Sequence, residues 1–207
     1  MRENHPNGML AVACRGKGCR TMKFTETELP GVWLIEPLVL HDVRGSFSRT
    51  FCNQEYRGHG LVDTFVQHSV SQSRHMYTLR GLHFQRHPYE EVKVVTCIQG
   101  AIWDVAVDIR KDSPAFGRWV AAELSAENGR RLYIPRGFAH GFLSLSKDAI
   151  VSYLISDGYQ AKASDGLRYD DPVFGITWPA RPCLLSERDA AWSSVADTLP
   201  GSSRPQA

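Results

Sequence analysis

A chain of 207 residues, 43% hydrophobic and 22% charged, can bury one sizeable core and is too apolar to stay disordered through its bulk. A net charge of +2 gives no general basic field for a nucleic acid, and no run of 18 apolar residues is present to span a membrane as a helix. The five cysteines (Cys14, Cys19, Cys52, Cys97 and Cys183) are odd in number and show neither a disulfide framework nor zinc spacing, so a cytoplasmic location is expected.

Residues 1–21 carry Arg2, Arg15, Lys17 and Arg20 against the single acid Glu3. Their apolar stretch, 9–14, is too short for a secretory leader. The segment reads as a disordered arm, or as residues upstream of a later start at Met22. From Met22 the chain reads as strand after strand. VWLIEPLVL (32–40) predicts one long strand ending at a turn around Gly45, and NQEYRGHG (53–60) a short helix. TFVQHSVSQS (64–73) alternates with period two. Strands follow at 78–85, 91–100 and 101–110, the last two joined at Gly100 like a hairpin, then at 118–125, 130–146 and 149–156. A second helix is expected near 186–195. Short strands with turns at about ten-residue spacing predict an all-β sandwich, jelly roll or barrel. One domain is expected over 22–196, with a disordered tail at 197–207.

Two stretches concentrate the chemistry. IPRGFAHGF (134–142) resembles the second signature of the cupin superfamily, in which Pro135 and Gly137 shape a turn that leads His140 into a strand. The first cupin signature would bring a His-x-His pair, but here His83 is followed by Gln85, and residues 83 and 85 share a face of a strand. An amide is a poor metal ligand, so no metal is expected, although a centre built from His83, His140 and Glu91 stays open.

TLRGLHFQ (78–85), with Lys93 ten residues after His83, resembles the dTDP-4-dehydrorhamnose 3,5-epimerase family. Further similar segments follow in order: LIEPLVLHDVRGSF (34–47), residues 104–142, SYLISDGY (152–159), DDPVFGITWP (170–179) and LSERDA (185–190). The resemblance covers about 24–191. It implies a cupin-like jelly roll with a few short helices, a homodimer, and a nucleoside-diphosphate 4-keto-6-deoxy sugar as substrate. The C4 ketone of such a sugar acidifies the C–H bonds at C3 and C5. Inversion then needs a base, a stabiliser for the enolate oxygen and an acid on the opposite face, with no cofactor required.

The resemblance implies the following roles. His83 matches the base, Asp189 the carboxylate that orients it, Lys93 the cation at the enolate oxygen and Tyr153 the acid. Arg80 and Arg44 match diphosphate contacts; Gln67, Phe47, His140 and Tyr159 match pocket-lining positions. Alone, each has a plainer reading: Asp189 as a helix cap, Tyr153 as core, Lys93 as a solvated charge. Two departures concern recognition. Arg49 stands where the family usually has Glu, and His68 and Ser69 stand where it usually has Asp and Asn; a one-centre epimerase, or an altered sugar or nucleotide, is the implied variation. An extra cation at Arg49 is expected beside the partner's nucleotide. A non-catalytic sugar-nucleotide binder and a metal-dependent cupin are the competing classes.

Overall fold

The computed structural model describes residues 22–199; the expectations for 1–21 and for 200–207 lie outside the described residues. Thirteen strands and three short helices are present in this span. The strands are β1 (Met22–Glu26), β2 (Trp33–Pro37), β3 (Val39–Asp42), β4 (Gly45–Ser48), β5 (Gln67–Ser73), β6 (Leu79–Gln85), β7 (Lys93–Gln99), β8 (Ala101–Asp108), β9 (Trp119–Ser125), β10 (Arg131–Ile134), β11 (Phe138–Ser144), β12 (Ala149–Ile155) and β13 (Ser164–Gly166). The helices are α1 (Asn53–Gly58), α2 (Glu187–Ala190) and α3 (Val195–Thr198).

The strands form two facing sheets. One has six strands in the order β1-β2-β10-β7-β12-β5 and the other has five in the order β13-β6-β11-β8-β9; β3 and β4 form a separate hairpin. The architecture is the expected cupin-like jelly roll. Alternation along the strands fills the space between the sheets with Val95, Cys97, Ile102, Ala106, Leu124, Leu132, Phe142 and Val151. Both sheets also have apolar outer patches. Val105, Val107 and Phe116 are covered by Leu167, Phe174, Trp178 and Leu199 from the C-terminal segment. Ile35, Val92, Val94 and Tyr133 are covered from outside by Tyr56 of α1. Such two-sided burial explains the long apolar runs in the strands.

Four expectations need correction. The predicted strand 32–40 is two strands, because Pro37 has no N–H to continue the ladder; the chain leaves the sheet at Leu38 and enters the β3–β4 hairpin. The stretch 130–146 is also two strands, parted by the Pro135-Arg136-Gly137 turn, with β10 in one sheet and β11 in the other. Gly100 (φ +73°) closes no hairpin: β7 pairs with β10 and β12 while β8 pairs with β11 and β9, so Gly100 is a corner between sheets. Packing continues past 196, where the tail was expected to begin, because α3 runs to Thr198 and Leu199 packs on the outer cluster.

One local feature positions the site. β6 and β11 pair with a register shift: His140 faces His83, but Phe142 faces Arg80. Gly81 and Leu82 therefore oppose the single residue Gly141, which makes a β-bulge. Two glycines meet there. A Cβ on Gly81 would come within 2.6 Å of Gly141 Cα and 2.7 Å of the His140 carbonyl oxygen, and Gly81 has φ +119°. On a regular strand Arg80 and His83, three residues apart, point to opposite faces. The extra residue restores their parity, and both line the same cavity.

Gly81→Ala is expected to destabilise the protein by about 1–3 kcal/mol, because it adds steric conflict to a positive φ. Urea denaturation checks this. A variant as stable as the parent would mean that the two strands can part without cost.

Candidate active site

A cavity of about 410 Å³ opens between β6 and β11 on one side and β5, β12 and β7 on the other. Period two along each strand selects its lining: Gln67, Ser69 and Ser71 from β5, Tyr153 and Ile155 from β12, His140 and Phe142 from β11. Arg80, His83 and Gln85 come from β6 and Lys93 from the start of β7, while Tyr159 comes from a loop and Arg188 from α2.

His83 Nε2 lies 2.7 Å from Asp189 Oδ1, in a hydrogen bond to a carboxylate whose side chain is 6% exposed. Asp189 reaches it because the chain at 183–184 runs alongside β6: Cys183 N–H donates to the Tyr77 carbonyl, and Leu79 N–H donates to that of Leu184. Ser186 then caps α2, its hydroxyl accepting the Asp189 N–H at 3.0 Å. The bulge leaves Gly81 N–H off the ladder, and it donates to Asp189 Oδ2 at 3.2 Å. Burial works to raise the Asp189 pKa, but the His83 side chain, the Gly81 N–H and the Trp192 indole N–H outweigh it and hold the carboxyl below its ordinary value. An ionised Asp189 only accepts hydrogen bonds, so His83 donates from Nε2, and in the neutral imidazole the lone pair is then on Nδ1.

Across the cavity, Tyr153 Oη is 3.1 Å from Ser71 Oγ. Burial pushes the Tyr153 phenol far up, with the Ser71 hydroxyl working in the other direction, so the group is protonated at neutral pH. Lys93 Nζ pairs with Glu91 Oε1 at 3.0 Å, both side chains being nearly buried. His140 Nε2 meets Asp104 Oδ1 at 2.7 Å, and Asp104 Oδ2 has no partner. Burial raises the Asp104 pKa, partly offset by His140 and Lys93. Arg80 is braced by Ser73 Oγ (3.1 Å) and the Gln72 carbonyl (2.7 Å).

The structure thus gathers His83, Asp189, Lys93, Tyr153, Gln67, Ser69, Arg80, His140 and Tyr159 at one cavity. It does not bring Arg44, Phe47 and Arg49 there within the chain. Arg44 is exposed and pairs with Asp42 on the hairpin, and Phe47 is 68% exposed. Arg49, expected beside the partner's nucleotide, donates from Nη1 to Glu55 Oε1 at 3.2 Å in its own chain. His68, expected near the pocket with Ser69, points to the opposite face of β5 and meets Ser152 Oγ at 2.8 Å, as period two requires. Gln85 ties two loops together: its amide donates to the carbonyls of Tyr89 and Gly158 and accepts from Gln160 N–H.

Sequence reasoning missed Asp104, Arg188 and Ser71, and weighed Glu91 only as a metal ligand. Period two from Gln67 and Ser69 points to Ser71, and Asp104 is an acid on an inward face otherwise occupied by Ile102 and Ala106. No local pattern marks Arg188. Among the described residues, no group of three His, Cys, Asp or Glu side chains is arranged to hold a metal ion. No described helix is long and apolar enough to cross a membrane.

Comparison with known proteins agrees with this architecture. The sequence profile of the dTDP-4-dehydrorhamnose 3,5-epimerase family matches residues 26–197. A dTDP-4-dehydrorhamnose 3,5-epimerase of Sinorhizobium fredii is 43% identical over 177 residues, 85% of this chain and 91% of its own. A dTDP-6-deoxy-D-glucose-3,5-epimerase from Legionella pneumophila, solved with dTDP-4-keto-L-rhamnose, superposes with a TM-score of 0.82 at 38% identity, covering 90% of this chain and 100% of that one. A 3′-monoepimerase from Streptomyces bikiniensis, solved with dTDP-quinovose, gives 0.75 at 36% identity over 80% of this chain and 84% of its own. With the matched profile running through both sheets and every strand that lines the cavity, this chain belongs to the dTDP-4-dehydrorhamnose 3,5-epimerase family.

Proposed function

We propose that this protein inverts C3, C5 or both in a nucleoside-diphosphate 4-keto-6-deoxy sugar, thymidine diphosphate being the nucleotide of its structural relatives. One observation carries the reading. The His83–Asp189 pair belongs to the wall built on the five-stranded sheet, and protonated Tyr153 and Lys93 to the facing six-stranded sheet. A sugar ring between them presents one face to a base and the other to an acid. His83 Nδ1 takes the proton from the carbon beside the ketone, and the electron pair moves to the C4 oxygen. The Lys93 ammonium stabilises the enolate, and Tyr153 Oη returns a proton to the opposite face. Asp189 holds the tautomer and balances the imidazolium. Arg80 and Arg188 supply charge for the diphosphate.

The 3′-monoepimerase shares this fold, which supports a one-centre enzyme as the second reading. The described cysteines, Cys52, Cys97 and Cys183, are all free, in keeping with a cytoplasmic location.

We also infer a two-fold homodimer. Leu38 and the β3–β4 hairpin residues Val39, Leu40 and Phe47 are presented to solvent, and the hairpin's Asp42–Arg44 pair is itself exposed and screened by water. The edge strand β5 and nearby β7 present Val66, Val70 and Ile98. In the dimer, the hairpin covers this face of its partner and brings Arg44 and Phe47 to the neighbouring cavity. Leu40→Asp with Phe47→Asp is expected to turn a sedimenting dimer into a monomer and to raise KM. A parent protein that is itself monomeric overturns the dimer.

Incubating the enzyme with dTDP-4-keto-6-deoxyglucose in deuterated water and reading C3 and C5 by NMR tests the reaction and counts the centres. His83→Ala is expected to lower deuterium incorporation by about a thousandfold or more while dTDP affinity changes little. Exchange at near-parental rates places the base elsewhere.

The depressed Asp189 pKa has a consequence for stability. A carboxyl whose folded pKa lies below its unfolded one stabilises the fold above the ordinary value of 3.8, and that contribution is lost as pH falls through the folded pKa. Asp189→Asn is therefore expected to be less stable than the parent at pH 7, with the gap narrowing below 3.8. Urea titrations at several pH values measure it; a pH-independent gap would mean the carboxylate's charge is immaterial.

A further inference from the structure

Trp192 follows α2 closely enough that Asp189 and Arg188 lie three and four residues before it, on the same side of the turn. Its indole Nε1 donates to Asp189 Oδ1 at 3.3 Å, the same oxygen that accepts from His83 Nε2. The indole stands edge-on to the His83 ring, centroids 6.2 Å apart. The Arg188 guanidinium lies over it at 5.0 Å. Beneath it is bare backbone: a Cβ on Gly166 would come within 2.2 Å of the indole, and Gly166 is the register partner of His83 on β13. Trp192 does not line the main cavity. It lines a second one, of about 280 Å³, which it shares with Arg168, Tyr169, Asp170 and the far side of Asp189.

We infer that Trp192 is a positioning residue for the reaction, holding the Asp189 carboxylate against His83 and seating Arg188 at the cavity through its ring face. The inference rests on the reading of His83 as the base. Gly81 N–H holds Oδ2, while the indole N–H and His83 share Oδ1; without the indole the carboxylate can tilt about the Gly81 hydrogen bond, and the imidazole it orients shifts with it. Because rate depends steeply on the position of the base, loss of the indole N–H acts on kcat. Loss of the ring acts on Arg188 as well, which is otherwise held by a hydrogen bond from Nη2 to Ser164 Oγ at 3.0 Å, and so acts on substrate binding. The two functions of one side chain are separable. Phenylalanine keeps a ring on Gly166 and under Arg188 but has no donor, and alanine keeps neither.

The test compares Trp192→Phe and Trp192→Ala in the full chain, by steady-state epimerisation of dTDP-4-keto-6-deoxyglucose. Trp192→Phe is expected to lose about tenfold in kcat with KM within about twofold, the scale of one hydrogen bond to a charged group. Trp192→Ala is expected to show that loss and, in addition, a KM raised about fivefold, the scale of a cation–π contact. Parental kinetics in Trp192→Phe, or a kcat loss with an equal rise in KM, overturns the inference. The indole ¹⁵N–H resonance of Trp192, identified by its disappearance in Trp192→Phe, or by selective labelling if that variant does not fold, gives a readout independent of activity. It is expected to move on Asp189→Asn and on His83→Ala, and a resonance indifferent to both also overturns the inference. His83→Ala with undiminished deuterium exchange refutes the base assignment instead, a result separable from any behaviour of Trp192.

Discussion

Two glycines facing each other across β6 and β11 hold much of the site in place. At Gly81 and Gly141 the backbones approach more closely than any side chain permits, and the ladder gains one residue on the β6 side. That residue changes the parity of the strand, so a cation (Arg80) and an imidazole (His83) reach the same cavity. It also releases a backbone N–H, which Asp189 captures. The anchoring of α2 beside β6 depends on the same stretch, since the chain at 183–184 bonds to the backbone just before the bulge. Strand, bulge and helix therefore converge on one carboxylate.

Most titratable groups in the cavity come already paired. His83 has Asp189, Lys93 has Glu91, His140 has Asp104, and Arg80 is braced by a hydroxyl and a carbonyl. Buried pairs of this kind are weak contributors to net stability, because desolvation offsets much of the attraction. Their effect here is to fix directions before a ligand arrives, which is what a reaction through a short-lived anion requires. Asp104 is the least satisfied member: one of its oxygens is buried without a partner, and burial favours its protonated form. The pairing also explains why Gln85 is not free to act as a ligand. Its amide is fully used in tying together the loops at 89 and 158–160, which hold Tyr159 at the rim.

Part of the proposed recognition set stands apart from the residues proposed for proton transfer. His83, Lys93 and Tyr153 line the cavity between the sheets, with Asp189 reaching His83 from α2. The hairpin with Arg44 and Phe47 stands away from its own cavity and exposes an apolar surface that the chain does not cover. Arg49, just after the hairpin, pairs with Glu55 of α1.

How much of this was legible in the sequence follows from the range of each signal. Alternation is local. It placed most strands, and period two separates His68 from Gln67 and Ser69, against the expectation that set His68 near the pocket. Ordered motifs brought His83, Lys93, Tyr153 and Asp189 into a single set, although 106 residues separate the dyad partners. Sheet membership is not local, because hydrogen bonds between distant strands decide it. Gly100 reads as a hairpin and is a corner, and 32–40 and 130–146 read as single strands and are each divided between separate sheets. The parity change at Gly81 is invisible for the same reason: a bulge exists only relative to the strand opposite. Asp104, Arg188 and Trp192 carry no motif of their own. Only the tertiary structure decided their roles, by bringing an acid under His140, a guanidinium to the cavity wall and an indole N–H to the oxygen that orients His83.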